Sequence, residues 1–276
     1  MVIINDLGFR YSKKIQPLFH ELNCELTSGS IVGLLGKNGA GKTTLLKLMI
    51  GLLRPTEGTV RIMDQQPAER EPSLLQDMYF LPEEFHHPSV TIRQYVKANS
   101  GFYPRFDQEL LKRLITDFEL PENKRLNELS YGQKKKFLIS FALSTKCRLL
   151  VLDEPTNGLD IPSKSIFRRV MAGSLDADQL VIISTHQVRD VENLIDRVLM
   201  LEQGKFIMQK NIYEIASKLH FATTSSPEGE HILYREMVPG GYKVITSQTD
   251  GSSSVDIELL FNAISHGTEK MREYVK

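Results

Sequence analysis

The sequence has no excess of charge of either sign and no long hydrophobic run. Its 34 basic and 34 acidic residues cancel over a length of 276 residues, so the charge balance does not point to nucleic acid or a strongly acidic partner. No segment approaches the roughly 18 consecutive apolar residues of a membrane-spanning helix. The N-terminal segment lacks the basic start and apolar core of a signal peptide. We therefore expect no direct membrane span, and any work at a membrane requires another polypeptide to cross it.

Cysteine is also scarce, with only Cys24 and Cys147 in the chain. They form no CxxC pair and lie in no cluster with histidines, which excludes the common zinc and disulfide frameworks. Both occur in apolar surroundings. Isolated cysteines of this kind are typical of packing residues in a reducing compartment. We expect two buried thiols in a cytoplasmic protein.

Apolar strand patterns alternate with helical patterns along most of the chain, which predicts an α/β fold. Strands are predicted at residues 2–4, 22–26, 31–35, 59–62, 78–81, 149–152, 180–183, 198–201 and 205–208. Helical patterns cover residues 42–52, 91–129, 131–145 and 162–173, and a further helix is predicted after residue 183 through Leu194. We place a helical subdomain at about residues 86–145.

The composition changes after about residue 215, where serines and glycines become frequent. Helices are predicted at residues 212–219 and 257–265, and strands at 231–237 and 242–246. This pattern indicates a main domain over residues 1–215 and a small α+β appendage over residues 216–276. Dimerisation, regulation and simple capping of the main domain all stay open as roles for the appendage.

A glycine-rich loop, Gly36–Thr43, fits the pattern GxxxxGK[ST] and lies directly after a buried strand and before a helix. Glycines let the backbone wrap so that its N–H groups point at phosphate oxygens, and the helix N-terminus adds partial positive charge. Lys42 supplies a full charge to the β- and γ-phosphates, and the Thr43 hydroxyl is a hard oxygen suited to Mg²⁺. The predicted nucleotide contacts are Gly36, Lys37, Asn38, Gly39, Ala40, Gly41, Lys42, Thr43 and Thr44.

Two carboxylates, Asp153 and Glu154, follow the apolar strand at residues 149–152. A strand that ends in this way delivers both groups to the edge of the sheet where the phosphate loop lies. Asp153 would hold Mg²⁺ through water, and Glu154 would polarise the attacking water as a general base. Alone, the pair is equally consistent with a solvated strand end. Beside a phosphate loop, it indicates a catalytic pair.

A third element is the segment Leu129–Gln133, at the start of another predicted helix. Ser130 is a good N-cap residue, and Gly132 lets a ligand approach the backbone. The segment therefore predicts a second anion site that is far from the first in sequence.

The segment Leu129–Gln133 resembles the LSGGQ signature of the ATP-binding cassette (ABC) ATPases. Residues 154–160 continue the resemblance and end in that family's D-loop, residues 184–186 resemble its switch-histidine segment, and Tyr11 resembles the aromatic residue that stacks on adenine. The resemblance covers about residues 2–210. It implies a P-loop NTPase fold with a RecA-like core, an antiparallel β-subdomain and a helical subdomain.

The resemblance also implies a mechanism that one chain does not complete. Two nucleotide-binding domains of the family pair head to tail, so that the phosphate loop of one chain faces the signature segment of the other with ATP between them. His186 would contact the γ-phosphate and help to position the attacking water. The family assigns nucleotide contacts or coupling across the interface to Ser130, Gly132, Gln133 and Asp160.

One departure from the family pattern is Glu83, which follows Phe80–Pro82 where the family usually has glutamine. A carboxylate can still bind Mg²⁺ or its water. It loses the amide donor, however, and adds negative charge near the triphosphate. We place Glu83 on the metal side of the site with Thr43 and Asp153.

Two features at the signature allow more than one interpretation. Tyr131 replaces the family's glycine, and we interpret the position as tolerant because its neighbours carry the phosphate contacts. Lys134–Lys136 would fit nucleic-acid contact, but a helix after the signature has an outward face on which lysines are solvated or pair with the partner domain. We therefore expect no nucleic-acid partner.

Aromatic residues are frequent before the signature. In ABC transporters this region receives coupling helices from the membrane subunit, whereas core packing is the alternative role for such side chains. The residues concerned are Phe80, Phe85, Tyr95, Phe102, Tyr103 and Phe106.

The leading hypothesis is the ATP-binding and ATP-hydrolysing subunit of an ABC transporter, with ATP and Mg²⁺ as cofactors. The short helical region resembles exporter or ABC-2-like subunits. Such a subunit pairs with a second nucleotide-binding domain and lies on the cytoplasmic face of the membrane through separate permease subunits. The alternative is a soluble ABC ATPase acting on ribosomes, DNA or an assembly scaffold, although the chain has one cassette and no heptad run. A regulator with little turnover is a third class, against which the intact Glu154 argues.

Overall fold

The computed structural model describes residues 1–85, 88–226, 231–247 and 253–266, together with Met271 and Tyr274. Its β-strands are β1 (Val2–Phe9), β2 (Phe19–Leu26), β3 (Ser30–Leu35), β4 (Glu57–Ile62), β5 (Met78–Leu81), β6 (Leu149–Asp153), β7 (Leu180–Thr185), β8 (Arg197–Glu202), β9 (Lys205–Asn211), β10 (His220–Thr224), β11 (Ile232–Val238) and β12 (Gly241–Thr246). Its α-helices are α1 (Lys42–Met49), α2 (Pro72–Leu75), α3 (Ile92–Asn99), α4 (Gln108–Asp117), α5 (Tyr131–Ser144), α6 (Ile161–Ser174), α7 (Ile212–Lys218) and α8 (Ile257–His266).

The central sheet has six strands in the order β5-β6-β7-β3-β8-β9. The first five are parallel, and β9 pairs antiparallel with β8. Every residue of β6 and of β7 is buried, as expected for parallel strands covered on both faces. The carboxyl ends of parallel strands lie at one edge of the sheet. The loops that follow β3, β6 and β7 are therefore brought together there.

Alternate residues of the central strands enter two separate hydrophobic clusters. Leu149 and Val151 pack with α1 and with a second, antiparallel sheet of order β2-β1-β4. Leu150 and Leu152 pack on the opposite face with α4, α5 and α6. This division follows from the two-residue period of a strand. It explains why β6 is apolar throughout although the two sides of the sheet have different neighbours.

The helical region is divided more finely than its sequence pattern predicted. The single helical pattern over residues 91–129 corresponds to α3 and α4, separated by a short 3-10 turn at Ser100–Phe102. Both helices have their own N-caps, since Thr91 accepts a hydrogen bond from the Gln94 backbone at 3.2 Å and Asp107 accepts one from Leu110 at 2.8 Å. A capping side chain at Asp107 therefore begins a new helix within the pattern.

The aromatic residues before the signature mostly serve packing. The rings of Tyr95, Tyr103 and Phe106 all lie within 6.0 Å of the Phe141 ring, measured between centroids. Phe102 is the exception, with 70% of its surface exposed. Phe80 and Phe85 are partly buried and pack against the two hydrophobic clusters. Core packing, the alternative role considered for these residues, therefore applies to five of the six.

The predicted helix through Leu194 is wrong. After β7 the chain forms only a 3-10 turn at Val188–Asp190. The next strand starts nearby, because the Asp196 backbone donates to Ile31 O at 3.0 Å and its carboxylate accepts from Ile31 N at 2.9 Å. These bonds return the chain to the sheet before a further helix forms.

The C-terminal part contains an antiparallel sheet of order β10-β12-β11, whose first strand the sequence pattern did not predict. Helix α8 buries Leu260 and Ile264 in the same hydrophobic cluster as α5 and α6. It also contacts the 3-10 turn after β7, where Arg189 Nε donates to the Glu258 carboxylate. The division of the chain near residue 215 stays a prediction. Within the described ranges, every helix is too short or too polar to cross a bilayer.

Candidate functional site

A cleft of about 680 Å³ opens where the loops after β3, β6 and β7 meet. It is lined by Tyr11, Leu18, Asn38, Gly39, Gly41, Lys42, Thr43, Thr44, Glu83, Glu154, Asn157 and His186. All but Leu18 and Asn157 were predicted from the sequence. A smaller cavity of about 370 Å³ lies against the same loop, and its lining includes the predicted residues Lys37 and Ala40. The larger cleft is the functional site because the predicted residues Lys42, Glu83, Glu154 and His186 line it together.

The phosphate loop takes the shape that its glycines allow. Gly41 has φ of 102°, in the left-handed region, and is the N-cap residue of α1 without a side-chain cap. A Cβ atom at Gly36 would lie 2.6 Å from Leu201 O, so a larger residue there would displace the backbone of β8. The start of α1, with its uncapped amide groups and positive dipole end, is thus placed as an anion-binding position.

Lys42 brings a buried positive charge to this position. It is 7% exposed, and its Nζ donates to Gly36 O at 2.8 Å and to Lys37 O at 3.4 Å. Burial lowers the pKa of Lys42, while the carboxylates of Glu154, Asp153 and Glu83 act in the opposite direction. The ammonium group therefore lies among three carboxylates at the start of α1.

Thr43 and Asp153 form a close pair of oxygen ligands beside the cleft. Thr43 Oγ1 donates to Asp153 Oδ2 at 2.7 Å, and the Ser184 hydroxyl donates to the other carboxylate oxygen. Asp153 is 1% exposed. Since hydroxyl and carboxylate oxygens are the hard ligands that Mg²⁺ prefers, these residues fit a magnesium ion.

The protein supplies only part of a metal shell here. In the described ranges, no three or more His, Cys, Asp and Glu side chains form a group that could hold a metal ion. Mg²⁺ in phosphate-binding sites is typically held by one or two carboxylates and a loop hydroxyl, together with substrate phosphates and water. The donor set of Thr43, Asp153 and Glu83 agrees with a metal shell that the protein supplies only in part.

Glu154 is held in a strained and well-defined position. Its backbone φ is 47°, which is rare for a residue with a side chain. Glu154 Oε1 lies 2.8 Å from His186 Nδ1, and Oε2 accepts a hydrogen bond from Thr185 Oγ1 at 3.2 Å. The side chain is 5% exposed. The end of β7 thus orients the carboxylate, as a general base requires.

Tyr11 lies at the open end of the cleft. Its hydroxyl is 2.7 Å from Thr44 Oγ1, and its ring packs edge-on against Phe9 with centroids 4.9 Å apart. The residue is nevertheless 61% exposed. An exposed ring beside a phosphate loop is suited to stacking on a planar base.

Glu83 also lines the cleft. Glu83 Oε1 accepts a hydrogen bond from Asn157 Nδ2 at 3.0 Å. Its backbone oxygen accepts two more from the first turns of α5, from Tyr131 Oη at 3.1 Å and from Lys135 Nζ at 3.4 Å. Asn157 was missed from the sequence, although its place in the segment at residues 154–160 was a signal for it.

The predicted signature residues Ser130, Gly132 and Gln133 do not line the cleft. Ser130 is the N-cap of α5, accepting a hydrogen bond from Gln133 N at 3.2 Å, and Gln133 Oε1 accepts one from Ser130 N at 3.1 Å. This reciprocal capping box fixes the start of the helix. Ser130 remains exposed, so its hydroxyl lies at the surface of the chain.

Asp160 is likewise outside the cleft. It is exposed and caps α6, with Oδ1 accepting a hydrogen bond from Ser163 N at 2.9 Å. Hydrogen bonds from Ser163 lower the pKa of Asp160. Its structural role within the chain is therefore clear, and a role across an interface stays a prediction.

Tyr131 makes specific contacts that our interpretation as a tolerant position did not predict. Its ring stacks on Phe85 with centroids 5.4 Å apart, and its hydroxyl reaches the Glu83 backbone. A Cβ atom at Gly158 would lie 2.6 Å from the Tyr131 ring. The tyrosine thus joins the signature to the Glu83 segment and to the D-loop segment.

The lysines after the signature are not all on an outward face, so that interpretation is wrong for Lys135. Lys135 is 0% exposed, while Lys134 and Lys136 are partly exposed. Helix α5 is buried nearly all round from Phe137 onward, which leaves no fully solvated face. Burial lowers the pKa of Lys135 to about 8, against the effect of the nearby carboxylates, of which Glu83 is the largest.

The chain matches known proteins over most of its length. A family model described as ABC transporter matches residues 19–157. The protein NatA of Bacillus subtilis, described as an ABC transporter ATP-binding protein, is 28% identical over 251 residues, which are 87% of this chain and 99% of NatA. The Nod factor export ATP-binding protein I of Burkholderia orbicola is 31% identical over 206 residues, covering 72% of this chain and 67% of that protein. The molybdate import ATP-binding protein MolC of Haemophilus influenzae is 30% identical over 217 residues, covering 74% and 79%.

Solved structures show the same fold. A structure described as the ATP-binding subunit of an ABC transporter superposes with a TM-score of 0.69 at 23% identity, covering 79% of this chain and 92% of that one. The match agrees with the predicted α/β core, antiparallel β-subdomain and helical region.

Proposed function

The chain belongs to the ABC transporter family and is an ATP-binding ATPase, and we propose that it hydrolyses ATP in a head-to-tail dimer that energises separate permease subunits. The observation that carries the proposal is the division of the predicted site. The phosphate loop, Glu154 and His186 meet in one cleft, whereas Ser130 lies outside it at the surface. A second chain is the simplest source of a signature segment that would cover this cleft.

Within the cleft, the loop Gly36–Thr43 would hold the triphosphate, with Lys42 as the charge for the β- and γ-phosphates and Tyr11 stacking on the adenine. Thr43, Asp153 and Glu83 would hold Mg²⁺. When bound, the metal neutralises charge on the phosphates as bond cleavage proceeds. The support is the 2.7 Å contact between Thr43 Oγ1 and Asp153 Oδ2.

Glu154 would take a proton from the attacking water. Its carboxylate lies in the cleft and is oriented by Thr185 and His186, so the base is held before substrate arrives. His186 would contact the γ-phosphate through the ring edge that does not face Glu154. This pairing orients the base without consuming it, because the carboxylate keeps an oxygen lone pair for water.

Across the dimer, the start of α5 would complete the site. The N-terminus of that helix favours an anion, and Ser130 presents a hydroxyl beside it. Asp160 would lie near the interface and couple the two sites. In this arrangement ATP closes the dimer and hydrolysis reopens it.

We further propose a transporter of exporter or ABC-2-like type, in which the dimer lies on the cytoplasmic face of the membrane through its permease. The Nod factor export relative supports the exporter type. Because another relative is described as a molybdate import protein, the direction of transport is to be measured in transport assays. The alternative of a ribosome-, DNA- or scaffold-acting ATPase has less support, since the relatives described above are transporter subunits.

The dimer is tested by measuring ATPase rate per chain against protein concentration. A composite site predicts a specific activity that rises with concentration and then saturates, because hydrolysis requires association. A specific activity that is constant from nanomolar to micromolar chain would contradict the proposal.

The transport role is tested in native membranes. A tagged chain should be recovered with a polytopic membrane protein, and reconstitution of the two in vesicles should raise the ATPase rate. Recovery of the active chain entirely outside the membrane fraction, with no stimulation by any co-purifying membrane protein, would favour the alternative class.

A further inference from the structure

Lys135 is a buried cation to which the proposed reaction gives no role. It is 0% exposed. Its ammonium donates to Glu83 O at 3.4 Å and lies 5.5 Å from the centroid of the Phe85 ring. Burying a charge is costly unless other charges compensate it. The position therefore calls for an electrostatic explanation.

The compensating charges belong to the nucleotide site. The carboxylates of Glu83, Asp153 and Glu154 oppose the effect of burial on the pKa of Lys135, and Glu83 does so most strongly. The same three carboxylates also oppose the effect of burial on the pKa of Lys42. Two buried lysines thus share one group of acidic side chains, and only Lys42 belongs to the phosphate loop.

Glu83 explains why a second lysine is useful here. The carboxylate adds a negative charge at a position where the sequence pattern led us to expect a neutral glutamine. ATP is itself strongly anionic, and repulsion between charges is large in a partly desolvated cleft. An acidic side chain in the wall would weaken nucleotide binding unless a cation offset it.

We propose that Lys135 is a charge-balancing residue of the nucleotide site, whose ammonium offsets the carboxylate of Glu83 so that the cleft accepts ATP. The inference rests on the proposed nucleotide site and extends it to a residue outside the cleft. The competing explanation is a purely structural one, in which Lys135 serves only to hold the Glu83 backbone and to pack on Phe85.

The test is the affinity for ATP in three variants, Lys135→Gln, Glu83→Gln and the double variant, measured by calorimetry with EDTA and again with Mg²⁺. In EDTA, Lys135→Gln should weaken ATP binding about tenfold, since it leaves Glu83 unbalanced. Glu83→Gln should strengthen binding by a similar factor. The double variant should return to within about threefold of the wild type, because neither charge remains.

The comparison of ATP affinity with and without Mg²⁺ gives a second readout that does not depend on turnover. The metal offsets negative charge in the cleft, so the loss in Lys135→Gln should shrink in its presence. Lys135→Arg, which keeps the charge, should keep wild-type affinity in both buffers. Lys112→Gln, on the exposed face of α4, is the matched control for loss of a lysine charge far from the site.

A structural role leads to a different result. If Lys135 only supports the backbone, Glu83→Gln will not rescue Lys135→Gln, and the double variant will bind as weakly as the single one. That outcome would overturn the proposal, as would unchanged affinity in Lys135→Gln. Lys135→Met, which keeps most of the stem that packs on Phe85, replaces Lys135→Gln should the latter fold poorly, and the same rescue is expected.

The proposed nucleotide site can fail separately. If wild-type protein binds Mg-ATP and Lys42→Ala does not, the site stands whatever the Lys135 variants show. If Lys42→Ala binds as tightly as wild type, the site itself is misplaced.

Discussion

The two faces of the nucleotide site differ in how far one chain completes them. Lys42 and Glu154 line the cleft, and Asp153 lies beside it in contact with Thr43. All three are at most 7% exposed, and their hydrogen bonds join the phosphate loop to the ends of β6 and β7. Ser130 of the signature and Asp160 of the D-loop segment are exposed, and their side chains cap their own helices. The difference separates two functions. In the proposed composite site, one chain is organised to bind nucleotide, and hydrolysis requires a second chain that covers the signature face.

The largest expected effect is on the rate of ATP hydrolysis, with ATP binding retained. Glu154→Gln should lower the ATPase rate about 10³-fold, because it removes a general base held by His186 and Thr185. ATP binding should persist, and ATP should trap a dimer that is visible by size-exclusion chromatography. Turnover equal to that of the wild type would show that another group acts as the base.

Removal of the Lys42 charge from the phosphate loop should weaken ATP binding itself and not only slow hydrolysis. Lys42→Ala should weaken ATP binding roughly 100-fold, since it removes the buried charge that we propose as the partner of the phosphates. Equilibrium dialysis of the monomer measures this directly. Lys47→Ala, on the same helix but outside the cleft, is the control and should bind as the wild type does. Retained tight binding by Lys42→Ala would contradict the proposal that the cleft face binds the nucleotide through this lysine.

Tyr11→Ala should weaken ATP binding about tenfold, the usual value of one base-stacking contact. Tyr11→Phe keeps the ring but loses the 2.7 Å contact with Thr44, and it should retain most of the affinity. Competition with a fluorescent ATP analogue distinguishes the two variants. Equal losses in both would mean that the hydroxyl, rather than the ring, makes the contribution.

The smallest effect on nucleotide affinity is expected at the signature face. Ser130→Ala should leave ATP binding to the monomer unchanged while lowering hydrolysis about tenfold through loss of one hydrogen bond to an anion. It also removes the cap of α5, at about 1 kcal/mol of stability. Asp107→Ala removes the comparable cap of α4 and is the matched control, expected to lose similar stability with unchanged hydrolysis. Weaker ATP binding by the Ser130→Ala monomer would contradict the separation of the two faces.

The cleft face was largely predictable from the sequence because its motifs are local. The loop Gly36–Thr43 and the pair Asp153–Glu154 each follow an apolar strand, and parallel strands bring their carboxyl ends to one edge. Leu18 was missed because an apolar side chain carries no signal for phosphate binding, and Asn157 was missed although it lies in the segment at residues 154–160. Their place in the cleft follows from long-range packing.

The surroundings of the signature were less predictable because they depend on tertiary contacts. Lys135 belongs to a run of lysines that favours a solvated face, but α5 packs against neighbours on nearly all sides. Tyr131 gains its contacts from Phe85 and Glu83, which are distant in sequence. Hydrophobic periodicity does not record which distant segment covers a helix.

Similar reasoning applies to the fold. The α/β core was predicted correctly, since long apolar strands are the strongest pattern in the chain. The helix through Leu194 was not formed because hydrogen bonds between Asp196 and Ile31 return the chain to the sheet. Strand β10 was missed, and its partner β12 supplies the pairing that its short sequence does not reveal.

The central claim, a site completed by two chains, is tested most directly by mixing two inactive variants. Lys42→Ala disables the cleft face, and Ser130→Asp keeps a good N-cap while its charge repels the γ-phosphate. Each protein alone should have almost no ATPase activity. An equal mixture should recover about a quarter of wild-type activity, because half of the dimers would contain one intact composite site. No recovery in a mixture shown to form mixed dimers would contradict the account.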